Sequence, residues 1–258
     1  MSASLDVHWL PTLVTATDLA DSTVVMIDVL RASTTIVHAL EAGARQVIPC
    51  LEVDEARALA TRLPREEVVL GGEREGLPIA GFDLGNSPAE YTPRAVAGRT
   101  VVFTTTNGTR AMARCRLARR VLIGAFVNAT AVFEQLAACP TIRFLCAGSR
   151  GQRSRDDELL AGMLVGWLER HGPAGFRLSP NALLARDHWA RSLAGRFAPG
   201  AAADPHLLAQ EISDSPAGRR LASIGQQSDV LLAAQLDRLR TVPELDVKTF
   251  RIGRLGAS

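Results

Sequence analysis

The stretch Val24-Val25-Met26-Ile27-Asp28-Val29-Leu30-Arg31-Ala32-Ser33-Thr34-Thr35-Ile36-Val37-His38-Ala39-Leu40 decides the fold class. Its first half is a nearly continuous apolar run, the pattern of a central strand buried on both faces. Over 33–42 the spacing turns helical, with Ile36, Val37 and Leu40 on one face, and Gly43 ends the helix. Working outward, the same rhythm repeats. Strands are expected over 47–50, 68–70, 100–103, 121–123 and 142–145, with helices over 54–63, 109–116 and 129–138. Upstream, Leu5, Val7 and Trp9 alternate like a half-buried strand. After Asp156 helices dominate, over 159–168, 182–197, 205–212 and 229–240, and 247–252 alternates as a final strand. The expected fold is α/β: a three-layer αβα sandwich around a largely parallel or mixed sheet, with a helix-rich C-terminal third. The 258 residues read as one domain with a candidate internal boundary between 150 and 200, the best break being the loop from Pro199 to Ala203.

Composition narrows the function. Apolar residues make up 47% and charged ones 22%, with a formal net charge of +2, an ordinary globular balance without the basic stripe of a nucleic-acid surface. Every basic residue among the 29 except Lys248 is arginine, so cationic anion-binders here are arginines. Cys50, Cys115, Cys139 and Cys146 form no C-x-x-C pair, which argues against zinc and redox dithiols and for buried thiols in a reducing compartment. No apolar run reaches the roughly 18 residues of a membrane helix. The N-terminus lacks the basic-then-apolar pattern of a secretory leader. A cytoplasmic protein with neither nucleic acid nor membrane as partner is expected. The apolar helices of the last third suit a homodimer.

In parallel sheets, ligands bind beyond the carboxyl ends of strands, so the polar strand-to-helix junctions are the candidate sites. The first is Asp28 to Thr35. A carboxylate inside an apolar strand is costly unless it is paired or metal-bound. Arg31 and Ser33 at the helix start suit an anion. The alternative is an Asp28–Arg31 pair with Ser33 as N-cap. The second is Gly71-Gly72-Glu73-Arg74-Glu75-Gly76, where Glu73 suits a hard cation and Arg74 an anion, or where all are a solvated charged turn. The third, Gly81-Phe82-Asp83-Leu84-Gly85-Asn86-Ser87-Pro88, is a loop that caps a site or merely connects elements. The fourth, Thr104-Thr105-Thr106-Asn107-Gly108-Thr109, offers a nest for phosphate-like oxygens. A fifth leads from Cys146 to Asp157. The arginine spacing of a cysteine phosphatase fails there, since position 152 is Gln, so Cys146 reads as a core thiol. Asp157 is either a helix-start cap or a metal ligand.

Four of these runs closely resemble the 2-phosphosulfolactate phosphatase family: Ile27 to Ser33, Gly71 to Arg74, Gly81 to Pro88 and Thr104 to Thr109. Cys146-Ala147-Gly148 and the stretch from Gly225 to Asp229 are similar too, and the match runs in order from about Met26 to Pro243. One departure is Asp156-Asp157 where the family pattern has Glu-Asp, which keeps the charge and shortens one side chain. The resemblance implies a magnesium-dependent phosphatase of αβα architecture that hydrolyses 2-phospho-3-sulfolactate to sulfolactate and phosphate, a step toward coenzyme M. The substrate is a small polyanion. Expected roles are Asp28, Arg31, Glu73 and Asp83 in catalysis, with Asp83 a fourth ligand or one step removed from the cation. Arg31, Ser33, Arg74, Asn86, Ser87, Thr105, Thr106 and Asn107 are expected to bind substrate. Asp28, Glu73 and Asp157 are expected to hold Mg²⁺. Attack by metal-bound water is favoured over a covalent aspartyl-phosphate on Asp28, because Leu30 occupies the position of the second acid in the Asp-x-Asp pair of haloacid-dehalogenase phosphatases. Other small 2-phospho hydroxy acids, and a non-catalytic anion-binding role, are the alternative functions.

Overall fold

A computed structural model of the chain describes residues 3–172, 175–193, 197–201 and 203–256. In chain order the strands are β1 (Ser4–His8), β2 (Thr23–Ile27), β3 (Gln46–Pro49), β4 (Val68–Arg74), β5 (Leu77–Pro78), β6 (Thr100–Thr104), β7 (Arg120–Gly124), β8 (Thr141–Cys146), β9 (Arg177–Leu178), β10 (Pro243–Asp246) and β11 (Arg251–Arg254). The helices are α1 (Ala32–Glu41), α2 (Val53–Ala60), α3 (Pro93–Val96), α4 (Gly108–Arg114), α5 (Ala129–Leu136), α6 (Arg155–His171), α7 (Pro180–Leu193), α8 (Pro205–Ser213), α9 (Pro216–Ser223) and α10 (Ser228–Ala233).

All strands join one sheet in the order β5-β4-β6-β3-β11-β10-β7-β2-β8-β1-β9. The sheet is mixed. β4, β6 and β3 run parallel to one another, as do β7, β2, β8, β1 and β9. Between these two runs lies the antiparallel hairpin β10–β11, which pairs antiparallel with β7 on one side and with β3 on the other. The two parallel runs therefore point in opposite senses. Their carboxyl ends still meet. Five strand-to-strand steps separate β6 from β2, and a twist of about 20–25° per step swings one run far round against the other.

Period-2 alternation distributes the strand side chains between two apolar layers. Val25 and Ile27 face a core shared with α5, α6, α7 and α8, whereas Val24 and Met26 face a core with α1 and α4. In the other half, Val69, Val101 and Phe103 join that second core, while Val68 and Val102 pack under α2. This is the helix–sheet–helix arrangement. β2 is buried at every position because both of its faces are covered, whereas β1 buries only Leu5 and Val7.

Several expectations need correction. Positions 247–252 are not a strand: they form the turn of the β10–β11 hairpin and the first two residues of β11. Asp246 shapes that turn by accepting the Lys248 amide at 2.8 Å and the Thr249 hydroxyl at 2.8 Å. The helix expected over 229–240 is the short α10, because the chain turns at Asp237, whose φ is +56°. Of the helix expected over 182–197, residues 194–196 lie outside the described residues, as does position 202 of the candidate boundary. All four cysteines are free and buried, and burial pushes the Cys50 and Cys115 thiols up to about 12. Among the described residues, no helix is long and apolar enough to cross a membrane.

Candidate active site

β2 ends at Ile27, and Asp28 is the first residue beyond it. Its Oδ1 accepts the Ala32 amide at 3.2 Å, at the first turn of α1, and its own amide donates to Ser33 Oγ at 2.9 Å. Oδ2 faces the start of α4, so closely that a β-carbon at Gly108 would lie 2.7 Å from it. No donor among the described residues reaches Oδ2. Burial raises the Asp28 carboxyl to about 7, and the Asp156 and Glu73 carboxylates reinforce the shift, against the Ala32 amide and the Arg31 guanidinium.

The loop after Asp28 is held from α6. Asp157 accepts the Val29 amide at 2.8 Å on one oxygen and the Gly148 amide at 2.9 Å on the other, joining the ends of β2 and β8. Asp156 accepts the Leu30 amide at 3.1 Å and the Ser154 hydroxyl. Both carboxyls lie above their ordinary range, chiefly through burial. The same burial pushes the Cys146 thiol well up and keeps it protonated, consistent with a core role.

Arg31 does not pair with Asp28, and Ser33 does not cap α1, so that alternative reading fails. The Arg31 guanidinium, 3% exposed, donates from Nη1 to Asp229 Oδ2 at 2.8 Å and to Gln226 Oε1, and from Nη2 to the Gly76 carbonyl at 2.9 Å. Ser87 completes the cluster by donating its hydroxyl to Asp229 Oδ1 at 2.6 Å. The side chains of Gln226 and Asp229 were given no role by the sequence. The available signal was indirect: a buried arginine requires a buried acid.

Glu73 is buried at the end of β4. Its carboxylate accepts the Thr106 amide at 2.6 Å, the Thr106 hydroxyl at 3.1 Å and the Gly76 amide at 2.5 Å. It thereby ties the 75–76 turn to the β6–α4 junction. Gly72 permits this, since a β-carbon there would lie 1.9 Å from the Thr104 carbonyl oxygen. Arg74 is committed to the frame: it donates to Thr104 Oγ1 at 2.8 Å and to the carbonyls of Leu51 at 3.1 Å and Glu73 at 2.8 Å. Thr105 Oγ1 accepts the Thr109 amide at 3.3 Å, and Asn107 immediately precedes α4. The Asn86 carbonyl accepts the Thr35 hydroxyl at 2.9 Å, while its buried Oδ1 has no donor. Asp83 stands apart. It accepts the Leu70 amide at 2.8 Å and pairs with Arg65 at the surface.

These positions decide how a cation fits. Among the described residues, no three His, Cys, Asp or Glu side chains are grouped as a metal cage. Glu73 and Asp157 already carry an amide donor on each oxygen, so the expected trio of Asp28, Glu73 and Asp157 is not assembled. Asp28 does fit. Its Oδ2 lacks a donor, and the surrounding buried carboxylates leave a negative surplus that a cation relieves. Mg²⁺ commonly takes only one or two carboxylates beside substrate phosphate and water.

Known proteins bear on the same residues. The model of the family described as 2-phosphosulpholactate phosphatase matches residues 9–248. A protein of Symbiobacterium thermophilum named "Probable 2-phosphosulfolactate phosphatase" is 40% identical over 230 residues, 88% of this chain and 93% of its own length. Proteins with the same name from Deinococcus radiodurans and Thermotoga petrophila are 41% and 38% identical, covering 85% and 86% of this chain and 86% and 88% of theirs. The matched span takes in all the junctions that meet around Asp28, from the end of β2 to α10, and the chain belongs to the 2-phosphosulpholactate phosphatase family of phosphoric monoester hydrolases.

Proposed function

We propose that this chain hydrolyses 2-phospho-3-sulfolactate to 3-sulfolactate and phosphate with the help of Mg²⁺. The observation that carries the reading is the pairing of opposites around one point of the fold: on the buried Asp28, a carboxylate oxygen that no donor among the described residues reaches, three residues before a buried arginine. A phosphate monoester needs both, a group that binds its oxygens and a group that recruits countercharge.

Asp28 would hold the cation through Oδ2, together with substrate oxygens and water. Bound there, Mg²⁺ supplies charge neutralisation at the phosphoryl group. Arg31 spends three N–H groups on Gln226, Asp229 and Gly76. A guanidinium has five, so Nε–H and one Nη2–H remain to bind and orient phosphate oxygens. Asp156 and Asp157 hold the amides of Leu30 and Val29 and so fix the loop that carries both groups. Water attacks phosphorus, a P–O bond forms, and the P–O bond to C2 breaks. The attacking water gives up a proton, and the C2 alkoxide released as its bond to phosphorus breaks takes one up, so the proton count closes. Ser33 is fully buried, its hydroxyl bonded to the Asp28 amide and the Met26 carbonyl, so donors for the sulfonate and carboxylate would come from the 105–107 segment at the start of α4.

A panel of 2-phospho acids with and without sulfonate, assayed for phosphate release after chelation and after Mg²⁺ addition, tests the reading. Release that requires Mg²⁺ and is fastest with 2-phospho-3-sulfolactate is expected. Full activity in metal-free enzyme removes the cation from the proposal, and preference for a substrate lacking sulfonate removes the substrate. A phosphoryl group trapped on Asp28 by acid quench refutes direct attack by water.

A further inference from the structure

We propose that Asp229, from α10, is a positioning residue that sets the Arg31 guanidinium for substrate phosphate, and that Ser87 in turn orients Asp229. The inference rests on the reading that Arg31 binds phosphate.

Arg31 follows β2, yet its main partner lies 198 residues further along the chain. Asp229 Oδ2 accepts Arg31 Nη1 at 2.8 Å, with side-chain exposures of 2% and 3%. The other oxygen accepts the Ser87 hydroxyl at 2.6 Å. Gln226 Oε1 takes the remaining Nη1 donor, and the Gly76 carbonyl takes one from Nη2. Two segments of chain thus grip the planar group directly and a third, at Ser87, holds Asp229, which is more constraint than neutralising a charge requires. Among the described residues, the unspent donors are Nε–H and one Nη2–H. A guanidinium binds a phosphate through two N–H groups at fixed angles, so its plane must be held. Asp229 and Gln226 fix one end of that plane and Gly76 restricts its rotation. Asp229 itself is kept from swinging by Ser87. No part of this set needs to touch substrate.

A merely structural acid and a positioning acid differ in one measurable way. If Asp229 acts through Arg31, its effect on phosphate must vanish when Arg31 is gone. The experiment is a double-mutant cycle on the full chain, with Asp229→Asn, Arg31→Ala and the double variant, reading inhibition by inorganic phosphate alongside kcat and KM. Asp229→Asn keeps the shape and presents its amide or a weaker acceptor to Nη1. Phosphate affinity is expected to fall by about tenfold or more, the loss typical of a misplaced charged hydrogen bond, and to fall no further in the Arg31→Ala background. Equal losses in both backgrounds would mean that Asp229 supports the fold rather than Arg31, and would overturn the proposal. So would a folded Asp229→Asn enzyme with unchanged phosphate affinity. If Arg31→Ala alone binds phosphate like the wild type, the reading of Arg31 itself fails, an outcome distinct from the other two. Should Asp229→Asn not fold, Ser87→Ala removes the orienting hydroxyl without changing charge. Its smaller loss must likewise disappear without Arg31, and its persistence would overturn the proposal.

Discussion

Gly108→Ala strikes the centre of the proposed site with a single methyl group. The new β-carbon would lie 2.7 Å from Asp28 Oδ2, 2.7 Å from Ala32 Cβ and 3.2 Å from Thr105 Oγ1. Comfortable carbon contacts lie near 3.5–4.0 Å, so an overlap of roughly 0.8 Å must be relieved. Neither close neighbour yields cheaply. Ala32 Cβ is fixed by the backbone of α1, and the short Asp28 side chain is tied to the Ala32 amide. Relief means parting α1 from α4 or turning the Asp28 carboxylate off its amide. Overpacking of this kind costs about 1–3 kcal/mol, and the better helix propensity of alanine returns up to about 1 kcal/mol. At about 2–4 °C per kcal/mol for a chain of this size, the melting temperature falls by no more than about 12 °C. Activity suffers more, because displacing a reacting group by about 1 Å costs of order 10²-fold. Thermal melting and steady-state phosphate release on the same preparation give both numbers. A variant with wild-type kcat/KM would show that Asp28 Oδ2 is not at the reacting centre.

Arg31→Lys is expected to lower kcat/KM by about tenfold or more, since an ammonium cannot reproduce the fork or satisfy Asp229, Gln226 and Gly76 together; unchanged kinetics would place Arg31 off the substrate. Asp83→Asn separates the sequence expectation from the structure: with Asp83 engaged by Leu70 and Arg65, catalytic constants should stay at wild type and stability should drop by no more than about 1 kcal/mol, whereas a large loss of kcat would return Asp83 to the site. The raised carboxyl of Asp28 makes a signed prediction about pH. Its value is about 7 in the folded chain against 3.8 for a free side chain, so the native state holds the extra proton, and its contribution to stability is present below about 4 and is lost as pH rises through 7. His8 and His38, whose lowered values pull the other way, cancel when wild type is compared with Asp28→Asn. In the absence of metal, the melting temperature of Asp28→Asn should therefore rise relative to wild type as pH is raised from 5 to 8, and a gap that does not change with pH would contradict the assigned burial of Asp28.

The elements with strong local signals were legible. The nearly continuous apolar run of β2 read as a central strand and is one, buried at every position, and the helical spacing of Ile36, Val37 and Leu40 marked α1 to within a residue or two. The polar junctions at 28–35, 71–76 and 104–109 were legible as strand ends, and the fold brings them together around Asp28. The family resemblance carried by those junctions agrees with the family match over residues 9–248.

What the sequence alone determined is thus the kind of each segment and the chemical character of its ends. Pairing between distant segments was decided only in three dimensions, because it depends on sheet order and twist, which no local pattern encodes. Alternation over 247–252 looked like one strand, but the hairpin that inserts between β3 and β7 reverses half the sheet and places a turn there. Asp83 and Arg74 have the same chemistry as Asp28 and Arg31, and only position separates them. Asp83 falls beside Arg65 at the surface and Arg74 against backbone carbonyls, while Arg31 is carried into a buried cluster with Asp229. A buried ion pair requires both charges to leave water together, and the chain satisfies that requirement with residues 198 positions apart.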